Sequence, residues 1–212
     1  MALSEHLAKV VAETPGFMPV DEGEALHEAA LRANPGTWLE IGTYCGKSTL
    51  LLGDAARRVG AQLVTVDHHH GSEENQPGWE WHDESLVDDR TGKLDTLPRF
   101  RPVLDELEDC CSAVVARTEV VAQWWSSPIE LLFLDGNHTE PIALHDYRSF
   151  ARHLTPGALL IVHDVFPNPD DGGQAPWHVV ESAMHSGGFG QVSVHGSLRV
   201  LRRLSFDAFT TA

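Results

Sequence analysis

Short apolar runs in this chain end on a glycine or an acidic residue and then give way to stretches of helical periodicity. The first is Thr37-Trp38-Leu39-Glu40-Ile41-Gly42, followed by a helical pattern from Lys47 to Arg58. Ala61 to Val66 ends at Asp67, and Ser112 to Ala116 is another short run. Ile129 to Leu134 ends at Asp135 ahead of a helical stretch from His138 to His153, stopped by Thr155-Pro156-Gly157; Leu159 to Val162 then ends at His163-Asp164. Continuous apolar runs joined by helices describe strands buried on both faces of a parallel sheet. The expected fold is therefore α/β, a doubly wound and mostly parallel sheet. Gln191 to His195 and Leu198 to Leu201, around Gly196, predict an antiparallel hairpin at its C-terminal edge. Residues 4–13 and 21–33 read as leading helices, Trp124-Trp125 as the start of a helical region, and Ala175 to His185 as a late helix.

The 212 residues fit one domain, 1–212, since single cores stop growing at roughly 250–300 residues. Within it, 1–36 hold the leading helices and 67–109 form a long acidic loop region. A net charge of −16 without a basic run repels phosphate backbones and anionic headgroups, so neither nucleic acid nor a membrane is an expected partner. Nothing approaches the ~18 consecutive apolar residues of a membrane span, and Met1 to Val11 lack the pattern of a signal peptide. Cys45, Cys110 and Cys111 are odd in number and irregular in spacing, which argues against a disulfide framework. A cytoplasmic protein is expected. More than half of the negative charge falls between Asp67 and Asp109, a segment too polar for a core element and too long for a routine connection. Gly78-Trp79-Glu80-Trp81-His82 within it argues against disorder, because large aromatics are depleted from disordered chains.

The turn Glu40 to Ser48, between the first strand and its helix, is where a doubly wound sheet lets a ligand approach the backbone. It has neither the Walker spacing nor the dinucleotide glycine pattern. Asp67, at the end of the second strand, is placed to accept hydrogen bonds from ribose hydroxyls, and together the two features indicate an adenosine-type cofactor. A tight turn without a ligand is the plainer alternative. Asp135-Gly136-Asn137-His138 and His163-Asp164 end adjacent strands. Two carboxylates brought together there repel, and a divalent cation removes the conflict. The other reading is a pair of helix N-caps.

Leu39 to Ser48 resembles the first motif of the class I S-adenosylmethionine-dependent methyltransferases, whose fold is Rossmann-like, in the form found in metal-dependent O-methyltransferases of the catechol type. The resemblance implies S-adenosylmethionine as cofactor, with Glu40, Gly42, Tyr44 and Ser48 at its methionine end and Asp67 on its ribose. Thr118-Glu119 stands in place of the family's adenine-contacting Ser-Gln pair. The Asp-Gly-Asn-His and His-Asp pairs resemble those of macrolide-sugar O-methyltransferases and their cephalosporin-biosynthesis relatives. Carried over, Asp135 and Asp164 are ligands of a divalent metal such as Mg2+, Asp135 also borders the cofactor, and His138 is the general base. His163 stands where those relatives have glutamate. It is a third ligand, a group behind the ligands, or a histidine without a catalytic part; an imidazole ligand suits softer ions than magnesium.

His68, His69 and His70 cannot all face one metal from an extended chain, because alternate side chains point to opposite sides, so His68 or His70 is the candidate to reach the acceptor. Trp79 and Trp81 share a side in an extended segment, which suits stacking on a sugar ring or pinning the loop. The loop, with the later Asp-Gly-x-His and His-Asp-Val-Phe, resembles a group of actinobacterial methyltransferases that includes mycobacterial enzymes methylating mannoside hydroxyls in polysaccharide synthesis. The expectation is methyl transfer to a hydroxyl of a sugar, an oligosaccharide or another small acceptor. Two alternatives stand beside it: a non-haem iron hydroxylase built on Asp135, His138 and His163, and a non-catalytic S-adenosylmethionine-binding module. The leading helices and the aromatic loop are candidates for a homodimer contact.

Overall fold

A computed structural model describes residues 3–204; residues 1–2 and 205–212, part of the expected 1–212 domain, lie outside the described residues. Two helices lead, α1 (Glu5–Glu13) and α2 (Val20–Ala30), followed by β1 (Thr37–Ile41), α3 (Lys47–Val59) and β2 (Gln62–Asp67). A small hairpin, β3 (Val87–Asp88) with β4 (Lys93–Leu94), precedes α4 (Leu97–Glu106), β5 (Cys111–Val115) and the short α5 (Thr118–Ala122). Then come β6 (Ile129–Leu134), α6 (Glu140–Ala151), β7 (Leu154–Val162), α7 (Ala175–His185), β8 (Phe189–His195) and β9 (Leu198–Arg203). The main sheet runs β5-β2-β1-β6-β7-β9-β8. It is parallel from β5 to β7, and β9 is antiparallel to both neighbours. This is the Rossmann-like, doubly wound α/β arrangement, with its antiparallel hairpin at the C-terminal edge.

Strand alternation divides the core into two layers. Trp38, Leu63, Leu131, Phe133 and Ile161 pack with residues of α1 to α4 on one face. Leu39, Ile41, Leu132, Leu160 and Val162 pack with residues of α5 to α7 on the other. Covering both faces is why β1, β6 and β7 carry near-continuous apolar sequence.

The segment 67–109 is not simply an acidic loop. Its second half contains α4, whose Phe100 and Val103 are buried in the first core layer together with Leu107. Phe100 stacks on the His69 ring at 5.4 Å between centroids. It also fills the space beside Gly46, where a Cβ would come within 2.8 Å of its ring. The charge of this segment is divided as well. Glu74 and Glu80 face the cleft described below, whereas Asp109, just before β5, pairs with Arg57 at 2.6 Å near the opposite end of the sheet. Two boundaries also differ from expectation. β7 begins at Leu154, and a register shift between Ile129 and Leu131 absorbs the Thr155-Pro156-Gly157 stretch. The helix after β5 begins at Thr118, ahead of Trp124-Trp125. The three cysteines are free and buried. No helix among the described residues is long and apolar enough to cross a membrane.

Candidate active site

In the sheet order, β2 lies on one side of β1 and β6 on the other, so successive crossovers leave β1 in opposite directions. A crevice opens at the carboxyl ends of strands at such a switch point. Gly42, directly after β1, has φ 93° and sits so close to β6 that a Cβ would collide with the Asp135 carbonyl. Only glycine fits. Tyr44 adopts φ 49°, a left-handed conformation costly for a bulky residue. Asp67 holds it there: one carboxylate oxygen accepts the N–H of Thr43 at 2.9 Å and of Tyr44 at 2.8 Å, and the other accepts the N–H of His69 at 2.7 Å.

Two cavities of about 530 and 460 Å³ share Gly42, Tyr44 and Asp135 as wall residues and form one elongated cleft. Ser48, Trp81, His138 and Asp164 line the first; Asp67 and Thr118 line the second. Gly42, Tyr44, Ser48, Asp67, Thr118 and Asp135 therefore all border the cleft.

Glu40 does not. Alternation turns it with Trp38 toward α3, where it is fully buried and accepts hydrogen bonds from the Ser48 hydroxyl at 2.7 Å and the Thr49 hydroxyl at 2.6 Å. Burial pushes its carboxyl up to about 7, with those hydroxyls only partly offsetting the rise. It braces the helix start from behind. His68 and His70 border the second cavity, beside Asp67, and not the end that holds Asp164 and His138. His68 Nδ1 accepts the His70 N–H, and the His70 ring bonds the Leu94 carbonyl. Trp79 borders neither cavity, because turns closed by Trp79 N–H to the Gln76 carbonyl and His82 N–H to the Trp79 carbonyl break the extended path that would align it with Trp81. Trp81 instead joins Phe17, at 5.1 Å between ring centroids, and Phe17 joins Tyr44 at 5.4 Å.

Beyond the glycine turn, β6 and β7 deliver Asp135 and Asp164. One donor atom each from Asp135, His138 and Asp164 lie within 4.8 Å of one another. His163 is not in this group, which corrects its expected place as a metal ligand. Its ring is almost completely buried, with Nδ1 3.0 Å from Asp135 and Nε2 2.7 Å from Glu22 of α2. Both nitrogens face carboxylates, so both donate and the ring is an imidazolium. Burial opposes that charge, but Asp135, Asp164 and Glu22 outweigh it and raise the pKa to about 10. The Asp135, His138 and His163 triad of an iron hydroxylase is therefore not assembled. Asp164 itself titrates above the usual carboxylate range, mainly through burial, with His163 opposing the rise and Asp135 adding to it.

His138 is held differently. Its Nδ1 lies 3.2 Å from Glu74, leaving Nε2 buried, without a hydrogen-bond partner and 3.3 Å from an Asp164 oxygen. In the neutral ring with Nδ1–H donated to Glu74, Nε2 would carry the lone pair, whereas protonation of the ring turns a second N–H toward Asp164. Burial disfavours protonation, but the Glu74 hydrogen bond and the charges of Asp164 and Asp135 raise the pKa overall. Sequence reasoning did not single out Glu22, Glu74 or Phe17. Glu22 and Glu74 act on histidines 141 and 64 residues away, a separation that leaves no local sequence signal.

Residues 39–165 match the family described as "Methyltransferase domain". Among solved structures, the cofactor-bound Rv0187 from MTB is similar over 94% of this chain and 86% of its own, at 17% identity and TM-score 0.63. The O-methyltransferase TomG from Streptomyces achromogenes, involved in tomaymycin synthesis and solved with SAM, is 18% identical over 96% of this chain and 92% of its own, at TM-score 0.62. An O-methyltransferase from Bacillus cereus, solved with SAH, is 15% identical over 95% and 90%, at TM-score 0.60.

Proposed function

This chain belongs to the methyltransferase-domain family, and from that premise we propose that it transfers the methyl group of S-adenosylmethionine to a hydroxyl oxygen of a sugar or other small ring-bearing acceptor, assisted by a divalent cation. The observation that carries the reading is the cluster of Asp135, His138 and Asp164 at the ends of β6 and β7, opening onto the same cleft as the Gly42 turn.

S-adenosylmethionine is already an excellent methyl donor, so the protein has to align acceptor oxygen, methyl carbon and sulfur and supply a reactive oxygen. In the proposed reaction the oxygen attacks the methyl carbon, the sulfur–methyl bond breaks with its electron pair passing to sulfur, and the neutral thioether leaves. The hydroxyl proton goes to the lone pair that His138 Nε2 carries in the neutral ring, whose Nδ1–H is accepted by Glu74. The donor set fits a small divalent cation: two carboxylates lie beside a buried imidazole nitrogen that lacks a partner. Asp135 and Asp164 would hold it. Such an ion lowers the pKa of a bound hydroxyl and fixes its position. Phe17, Tyr44 and Trp81 give the first cavity an aromatic wall suited to the apolar face of a sugar ring, which supports a glycoside acceptor such as a mannoside of a polysaccharide.

The test is transfer from labelled S-adenosylmethionine to a panel of mannosides and other hydroxylated acceptors, with Mg2+ or with EDTA. Label in an acceptor, abolished by EDTA and restored by Mg2+, is expected. Full transfer after complete metal removal refutes the cation, and cofactor binding without turnover on any hydroxylated acceptor favours a binding module.

A further inference from the structure

Glu22 of α2 is buried and lines neither cavity, yet its carboxylate is fully engaged. One oxygen accepts from the His163 ring at 2.7 Å and from the Ser197 hydroxyl at 2.8 Å, and the other accepts the Ser197 N–H at 2.6 Å. Both partners lead to the carboxylates at the ends of β6 and β7. The opposite nitrogen of the His163 ring lies 3.0 Å from Asp135. The Ser197 carbonyl accepts the N–H of Val165, the residue directly after Asp164, at 3.0 Å.

Asp164 needs that support. Its φ of 54° lies in the left-handed region, which a residue with a side chain keeps only where its surroundings hold it. Both of its chain neighbours are pinned. The His163 N–H donates to the Leu134 carbonyl at 3.2 Å while its ring is clamped by Glu22, and Val165 is held by Ser197. Groups that orient metal ligands from behind govern a metal site nearly as strongly as the ligands themselves. On the reading that Asp135 and Asp164 hold a divalent cation, we propose that Glu22, acting through His163 and Ser197, is a positioning residue that sets the separation and orientation of these two carboxylates. α2 and the terminal hairpin thereby meet on one buried side chain and fix the cation site from behind.

The experiment is a titration of the whole chain with Mn2+, followed by the electron paramagnetic resonance signal of the free ion. Glu22→Asp keeps the charge but withdraws the carboxylate by one methylene, and it is expected to weaken Mn2+ binding by roughly ten- to hundred-fold. Ser197→Ala removes one of the three bonds to Glu22 and keeps both backbone contacts; its expected loss is roughly three- to tenfold, and it serves where Glu22→Asp does not fold. His27→Ala is the control, because it breaks a comparable buried contact of α2, to Asp54 of α3 at 2.7 Å, that does not lead to the strand ends. It is expected to lower stability in urea and to change Mn2+ affinity by less than roughly twofold. Unweakened Mn2+ binding in Glu22→Asp, or in Ser197→Ala where the first variant does not fold, overturns the inference and leaves the cation reading in place. A loss in His27→Ala as large as theirs does the same, since helix packing alone then accounts for the effect. No Mn2+ binding by wild type overturns the cation reading, and the inference with it.

Discussion

Glu40 gives a stability experiment whose sign and size follow from its burial. Its carboxyl has a pKa of about 7 in the folded protein against 4.5 for the free side chain, so the folded state holds the proton more tightly. That contribution is complete below pH 4.5 and is lost as the pH rises through 7. A tenfold difference in proton affinity corresponds to about 1.4 kcal/mol, so the loss between pH 5 and pH 8 is roughly 2–3 kcal/mol. Glu40→Gln keeps the shape and cannot ionise; its carbonyl accepts from one of the Ser48 and Thr49 hydroxyls, and its amide donates to the other. Urea unfolding of both proteins at a series of pH values isolates this residue, because titrations common to both cancel in the difference. The stability gap is expected to move in favour of Glu40→Gln by roughly 2–3 kcal/mol from pH 5 to pH 8. A gap constant to within about 0.5 kcal/mol, well inside that range, refutes the burial argument. Binding of S-adenosylhomocysteine adds a second check. Glu40 stands behind the turn, so the affinity should change less than roughly threefold, under 0.7 kcal/mol, whereas a hundred-fold loss restores the direct contact that the family resemblance implies.

His138→Ala is expected to keep S-adenosylhomocysteine binding and lower turnover by roughly 10²–10⁴, and Glu74→Gln to lower it by roughly tenfold through the orientation of that ring; turnover at the wild-type rate in His138→Ala removes the base assignment. Phe100→Ala empties a fully buried site between His69 and Gly46 and should cost about 3–5 kcal/mol in denaturant unfolding, and a cost below about 1 kcal/mol means that α4 is not part of the core.

What the sequence disclosed and what it hid follow from the range of the forces involved. β1, β6 and β7 were readable because burial on both faces demands unbroken apolar runs, and Gly42 and Asp135 because the strand ends themselves mark the switch point. α4 was obscured by Pro98 and Pro102 and by the arginines between them. Pro98 sits in the first turn, where the missing N–H has no helical acceptor to lose, and Phe100 with Val103 still forms a buried stripe. Glu40 was misplaced by resemblance although its own pattern pointed inward: it shares a face with Trp38, and the first turn of α3 offers two hydroxyls at the spacing needed to meet it. For Trp79, alternation was applied to a segment that turns. The partners of His138 and His163 come from elements distant in sequence, and no periodicity encodes them.

The Glu22 contact changes how the leading helices relate to the site. Besides His163, its carboxylate accepts the Ser197 N–H at 2.6 Å and the Ser197 hydroxyl at 2.8 Å. Gly196 makes room for it, since a Cβ there would collide with the Glu22 carboxylate. α2 is thereby tied to the turn of the terminal hairpin and, through one imidazolium, to Asp135. Glu22, Asp135 and Asp164 would repel one another if they were left alone. A cation buried between the first two offsets part of that repulsion from behind. A histidine substituted for a carboxylate at this strand end therefore changes the charge of the site by more than a lost ligand: it removes one negative charge and adds one positive. The N-terminal helix then supplies the counter-charge that makes the exchange stable, which is why α2 and the chemistry at β6 and β7 belong to one folded unit.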